Sequence, residues 1–243
     1  MTRYGADDEM TDLLRKNTFY FVPVFNPDGY EYSFTTDRMW RKTRTAFNRS
    51  TFCTDIDGEL MAARGADANR NWDVMWGGVG SSSNPCDLLY KGVHPESEPC
   101  VKLYADQLRW KQHQLKSYWS LHSFFEVLFS PNSYTDKRPH DDAVIQRVGR
   151  KTTLALKKRF GTPYVFSTSF DLNMPVTGGA IDYVHDKLNV SFAYVIELRP
   201  RSAPPGFLLD PSEIIPTALE TLDGILAGVK EIDAILQQKN TKP

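Results

Sequence analysis

No window of about 18 uncharged apolar residues occurs in the sequence, so no segment reads as a membrane-spanning helix. Neither sign of charge dominates. The 29 basic and 30 acidic residues leave a net charge of −1, which argues against nucleic acid or an anionic membrane as a partner. Cysteine is scarce: three residues are too few for a disulfide scaffold and lack the C-x-x-C spacing of a structural zinc site. The opening residues, MTRYGADDEM, are acidic and lack the apolar core of a signal peptide. What is present is a 243-residue chain, 41% hydrophobic and 12% aromatic, enough for one globular domain spanning 1–243.

The densest apolar stretch is Ser117 to Pro131, where Tyr118, Trp119, Leu121, Phe124, Phe125, Val127, Leu128 and Phe129 surround one histidine, His122. It reads as buried strand closed by the turn signal Pro131-Asn132-Ser133. His122 would lie deep in the core, where both ring nitrogens need partners, as a hydrogen-bonded core residue or as a metal ligand. His122 and Glu126 are spaced for one helix face, but the aromatic density favours strand over that pairing.

Elsewhere, Asp7 to Lys16 reads as a short helix and Thr18 to Phe25 as a strand made irregular by Pro23. Asn26-Pro27-Asp28-Gly29 reads as a turn. Arg38, Arg41, Lys42 and Arg44, interleaved with Trp40, form either a solvated basic face or an anion site, and the loop Asp67 to Asp73 adds a second guanidinium beside amides and Trp72. Trp76 to Pro99 reads as a long surface loop. Cys53 and Cys86 lie in loop-like sequence, where a bridge would stabilise the fold by about 3–4 kcal/mol through loop entropy in an oxidising compartment. Cys100 is left over as a small residue near a helix start.

Val101 to Gln114 reads as a helix with Leu103, Leu108 and Leu115 at core spacing, and Asp141 to Phe160 as an amphipathic helix with acidic start and basic end. Thr177-Gly178-Gly179 opens another helix. Val190 to Leu198 reads as a buried strand carrying Glu197 at its end, where a carboxylate must be paired, hydrogen-bonded or functional. A helix beginning near Ser212 presents Ile215, Leu219, Leu222, Ile225, Val229 and Ile232 as one apolar stripe. Alternating strands and helices indicate an α/β layered domain, whose sites gather at the carboxyl ends of strands.

With these residues in hand, the sequence resembles the zinc carboxypeptidases of the carboxypeptidase A type. The resemblance runs in order through Asn26 to Tyr30, Arg38 to Arg44, Asp67 to Asp73, Leu121-His122-Ser123, Gly178-Gly179, Glu197-Leu198-Arg199 and Gly206 to Leu209. It implies a three-layer α/β/α fold with a mixed, mostly parallel sheet, a secreted and monomeric protein, and peptide or protein C-termini as substrates. It also implies one zinc ion with His122 as third ligand, Glu197 as general base, and Arg41 as oxyanion donor. Asn69 and Arg70 would grip the terminal carboxylate, and Ile181 at the pocket base would favour apolar or aromatic C-terminal residues.

Two departures accompany it. None of His94, His113, His122, His140 and His185 has Glu three residues later, so the His-x-x-Glu motif that gives the family its first two zinc ligands is absent from this sequence, and the domain reads as incomplete at its N-terminus. Met174 stands where the family has a mobile tyrosine. An inactive relative that binds peptide C-termini is the competing expectation.

Overall fold

The computed structural model describes residues 4–47, 51–54 and 58–240, with side chains to 238. Its frame is a four-stranded sheet in the order β3-β6-β4-β5, built from β3 (Ser117–Ser123), β4 (Val127–Ser130), β5 (Val165–Thr168) and β6 (Phe192–Leu198). β3 with β6 and β4 with β5 run parallel, whereas β4 with β6 is antiparallel, so the sheet is mixed. A separate two-stranded ribbon pairs β1 (Phe52–Thr54) with β2 (Leu60–Ala62). Neither of those short strands was legible in the sequence; their exposed side chains show no buried alternation.

Strand alternation explains the layers. In β6, Phe192, Tyr194 and Ile196 enter one core, while Ala193 and Val195 enter the other; β4 divides likewise, with Leu128 against Val127 and Phe129. The first face is covered by α4 (Asp142–Phe160) and α6 (Ile214–Asn240), through Ile145, Val148, Leu156, Ile232 and Ile235. The second is covered by α3 (Pro99–Lys111) and the short α5 (Ala180–Asp182), through Val101, Ala105, Leu108, Ala180 and Ile181. Burial on both faces makes the strands continuously apolar, and the three-layer α/β/α reading holds.

Local chemistry sets the helix ends. In α1 (Asp8–Lys16) the Asp7 carboxylate accepts from the Met10 N–H, and α4 stops at Gly161, whose φ of 82° suits glycine. The Asn26-Pro27-Asp28-Gly29 run is not a turn but the start of α2 (Pro27–Thr35): Asn26 caps it by accepting from the Gly29 N–H, with Pro27 at the first position. Gly29 is required by close approach, since a Cβ would meet the Lys42 carbonyl at 2.7 Å.

Three further expectations need correction. The apolar run from Ser117 to Pro131 is two strands on either side of β6, not one. In α3, Leu103 is exposed and the inner face belongs to Val101, Ala105 and Leu108. In the first half of α6, Ile215, Leu219 and Leu222 face outward while Thr217, Glu220 and Thr221 are buried. The reason is polar: Glu220 accepts from Thr162, Tyr164 and Arg199, and that network outweighs the apolar stripe.

The segment from 18 to 25 forms no strand, and Tyr20, Phe21, Val22 and Val24 are exposed, Phe21 by 79%. Pro23 has no N–H to give a ladder, and among the described residues no strand pairs with the segment. β3 likewise has β6 as its one partner among the described strands, which leaves its other edge open. We expect the 243-residue polypeptide to self-associate, or to unfold without a sharp transition, in sedimentation velocity and thermal scans. A soluble monomer with one cooperative transition would show that these edges are protected.

Candidate active site

Strand register brings the first two groups together. β3 and β6 run parallel with His122 opposite Glu197, both near the carboxyl ends of their strands, and His122 Nδ1 lies 3.9 Å from Glu197 Oε1. His122 is not deep in the core: a quarter of its side chain is exposed, because β3 is an edge strand. Its Nε2 lies 3.0 Å from Ser120 Oγ, which settles the partner of one nitrogen and leaves Nδ1 turned to Glu197.

The guanidinium groups arrive on loops. Asp67, 3% exposed, receives two hydrogen bonds on Oδ2 from Arg41, Nε at 3.0 Å and Nη2 at 2.8 Å, and lies 3.7 Å from Arg70 Nη1. Its Oδ1 accepts from the Asn69 N–H, fixing the single 3₁₀ turn Ala68–Arg70. Arg70 donates through Nε to the Gly80 carbonyl at 2.6 Å and through Nη1 to the Asn69 carbonyl at 2.9 Å. Asn69 Oδ1 accepts from the Ala180 N–H at 3.0 Å, which ties this turn to the segment bearing Ile181. Ile181 is itself 4% exposed and packed in the core beneath that segment.

The first basic cluster divides. Arg41 alone of its four cations joins Asp67; Lys42 is buried and donates to the Pro85 carbonyl, Arg44 stacks its guanidinium 3.6 Å from the Tyr32 ring, and Arg38 donates to the Phe207 carbonyl. The cluster is therefore structural except at Arg41. Asp67 is the residue that sequence reading passed over, although an acid three positions before Arg70 was a visible signal. Met174 is partly exposed and its N–H bonds the Ser169 carbonyl.

Burial and charge then set protonation. Desolvation, followed by the positive Arg41, pushes the His122 pKa down to about 4, so the ring is neutral with lone-pair capacity near neutral pH. Desolvation pushes the Glu197 carboxyl up to about 7, against the opposing pull of Arg41 and Arg70. A grooved cavity of about 640 Å³ lies far from these groups, between α1, α4 and α6, and is lined by paired charges such as Arg159–Asp223 and Lys230–Glu9. The site itself is the open ledge above β3 and β6.

Comparison with known proteins places the sequence and the fold. The sequence matches the family profile described as "Zinc carboxypeptidase" over residues 1–224. It is 38% identical to the zinc carboxypeptidase of Simulium vittatum over 227 residues, covering 93% of this chain and 71% of that protein. The chain belongs to the zinc carboxypeptidase family. Carboxypeptidase A2 of Rattus norvegicus is 39% identical over 91% of this chain and 50% of its own length, and carboxypeptidase B of Bos taurus 36% identical over 90% and 49%. The structure of bovine thrombin-activatable fibrinolysis inhibitor, solved with a tick carboxypeptidase inhibitor, superposes with a TM-score of 0.85 at 33% identity, over 96% of this chain and 73% of that one. The chain thus spans about half the length of most of these curated relatives.

Family membership implies zinc, and the donors can be tested against it. His122 offers one nitrogen, but among the described residues no group of three or more His, Cys, Asp or Glu side chains could hold a metal ion. A zinc site needs about three protein ligands, so the described donor set does not fit one.

The Asp67 arrangement generates a stability prediction. Asp67→Ala should lower the opening free energy that hydrogen exchange reports for peptides covering 67–80 by about 3 kcal/mol, the low end for breaking a buried pair because Arg41 is more than a third exposed. A loss well under ~1 kcal/mol would show that the Gly80 and Asn69 carbonyls suffice for Arg70.

Proposed function

We propose that this chain supplies the substrate grip and the general base of a zinc-dependent metallocarboxypeptidase that releases an apolar or aromatic C-terminal residue from peptides. One observation carries the reading: the His122–Glu197 pair lies on the same ledge as two guanidiniums joined through the buried Asp67, both of which bear electrostatically on Glu197. Exopeptidase chemistry asks for such a set, because a fixed carboxylate anchor restricts attack to the last bond.

In this reading Arg70 and the amide of Asn69 take the substrate's terminal carboxylate. Asn69 has its carbonyl oxygen committed to the Ala180 N–H, so its amide N–H groups remain for the substrate. Arg41 donates to the oxyanion that forms at the scissile carbonyl; its two bonds to Asp67 use Nε and Nη2 and leave Nη1. Glu197, titrating near 7, takes the proton of the attacking water and passes it to the leaving amine. Ile181, at the base of the pocket, favours apolar or aromatic residues. His122 is the one metal ligand proposed among the described residues. The bridge between Cys53 and Cys86 supports an oxidising, extracellular setting.

A second reading, a module that binds peptide C-termini without cutting them, is favoured by the missing three-ligand group among the described residues. Calorimetry with a peptide ending in Phe, as free acid and as amide, tests what the two readings share. The free acid should bind at least about tenfold tighter, and Arg70→Ala should erase the difference. Equal affinities would overturn both. The readings part on zinc: after dialysis the 243-residue polypeptide should retain little of it and release no Phe. Stoichiometric zinc with chelator-sensitive release of Phe would exclude the binding module. In any hydrolysing, zinc-loaded form, Glu197→Gln should lower turnover by about 10²-fold or more while zinc stays bound. Zinc lost from that variant would make Glu197 a ligand instead of the base.

A further inference from the structure

Behind Ile181 lies a cluster of titratable side chains that the proposed chemistry does not use. After α5 the chain makes a five-residue π-turn, Tyr183–Lys187, and His185 within it is 8% exposed. His185 Nδ1 lies 2.6 Å from Asp186 Oδ1, and its Nε2 lies 3.1 Å from Asp141 Oδ1, on the residue that precedes α4. A carboxylate only accepts hydrogen bonds, so both ring nitrogens must donate, and the ring is an imidazolium held between two anions. A neutral ring would turn one lone pair towards a carboxylate and lose a charge-assisted bond.

The same segment has other side-chain ties, among them the Tyr183 hydroxyl accepting from Arg109 of α3. Asp182, fully buried, accepts from the Ser133 N–H, and Asp186 Oδ2 accepts from the Tyr134 hydroxyl at 2.8 Å. His185 is therefore the cationic link among several acids, and the one that reaches α4.

We propose that His185 is a protonation-dependent positioning residue, which seats the segment from Thr177 to Leu188 on the start of α4 and releases it when the ring loses its proton. Calling that segment a pocket wall rests on the function proposed above; the latch itself does not.

The groups facing His185 set the direction of the pH effect. Asp186 and Asp182 come from its own segment, Asp141 and His140 from the start of α4, with the His140 ring 6.4 Å away, and Tyr134 from the loop after β4 through Asp186. Burial alone would lower the His185 pKa, but the bonds to Asp186 and Asp141 outweigh it and raise the pKa above 6.5. A raised histidine contributes stability that is complete below its unfolded pKa and is lost as pH climbs through the folded value. Desolvation holds the Asp182 carboxyl protonated to about 7, so its ionisation beside Asp186 acts in the same direction, and variants are needed to separate the two.

Hydrogen exchange read by mass spectrometry, as protection factors for peptides covering 180–188 between pH 6 and 9, is the test. In the unaltered chain, protection should fall by about tenfold in a step centred above pH 6.5, the size of one bond to a charged group. His185→Gln should remove the step, Asp186→Asn should move it to lower pH, and Asp182→Asn should keep it. No step in the unaltered chain, a step that survives His185→Gln, or one that Asp186→Asn leaves in place would overturn the proposal. A purely packing role for His185 would give one of the first two. Peptides ending in Phe should bind several-fold more weakly above the step, and His185→Gln should remove the part of that loss that follows the exchange step. If no such peptide binds at any pH, the functional reading fails while the exchange data still decide the latch.

Discussion

The buried carboxylate of Asp67 is the constraint on which the site depends. It lies at the meeting of two sequence-distant loops, holding the Arg41 fork with two bonds, drawing Arg70 to 3.7 Å and fixing the Asn69 backbone. Two cations that close would repel each other without it, and the local potential that opposes the rise of the Glu197 pKa comes from these same two guanidiniums. Positive charge is thereby concentrated on one ledge in a chain whose net charge is close to zero.

Buried carboxylates recur as organisers. Glu98, 1% exposed at the start of α3, accepts from Thr43 and Thr45, and its own N–H is taken by the Asn71 side chain. Those bonds fasten the strand-like stretch after Trp40 to the loop that carries Asn69 and Arg70. Asn71 extends the same join to the Lys91 and His94 carbonyls, so the long loop after Trp76 is pinned from within despite its Gly and Ser content. Loops without regular ladders need such side-chain acceptors, since their backbone groups have no neighbours of their own.

Much of this was legible beforehand, and the failures have physical causes. β6, α4 and α5 were found because a continuous apolar run, charged helix ends and paired glycines are local signals. His122, Glu197, Arg41, Asn69, Arg70 and Ile181 were proposed from ordered motifs that resemble the family's; Arg41 and Arg70 bear on Glu197, His122 faces it across the strands, and Ile181 is buried. What escaped was set by partners distant in sequence. The inner face of the first half of α6 is polar because Arg199 and Tyr164 reach Glu220, and no hydropathy pattern encodes that. Thr18 to Phe25 has strand composition but no partner strand among the described residues, and composition cannot supply one. Nothing local to His185 marked it, because Asp141 is 44 residues away.

The Arg199 network has a further consequence. Arg199 follows Glu197 by two residues, leaves the same strand, and is bound to Glu220 and Glu213, while Gly224 and Gly228 let α6 come within contact of Leu156 and Trp119. The longest helix among the described residues is thus stapled to the strand end that presents the proposed base. Peeling α6 away would strand a guanidinium and a buried carboxylate at once, a loss too large for a local opening to bear. Detachment of the final helix and collapse of the Glu197 ledge should therefore be a single cooperative event, with no populated state in which one survives the other.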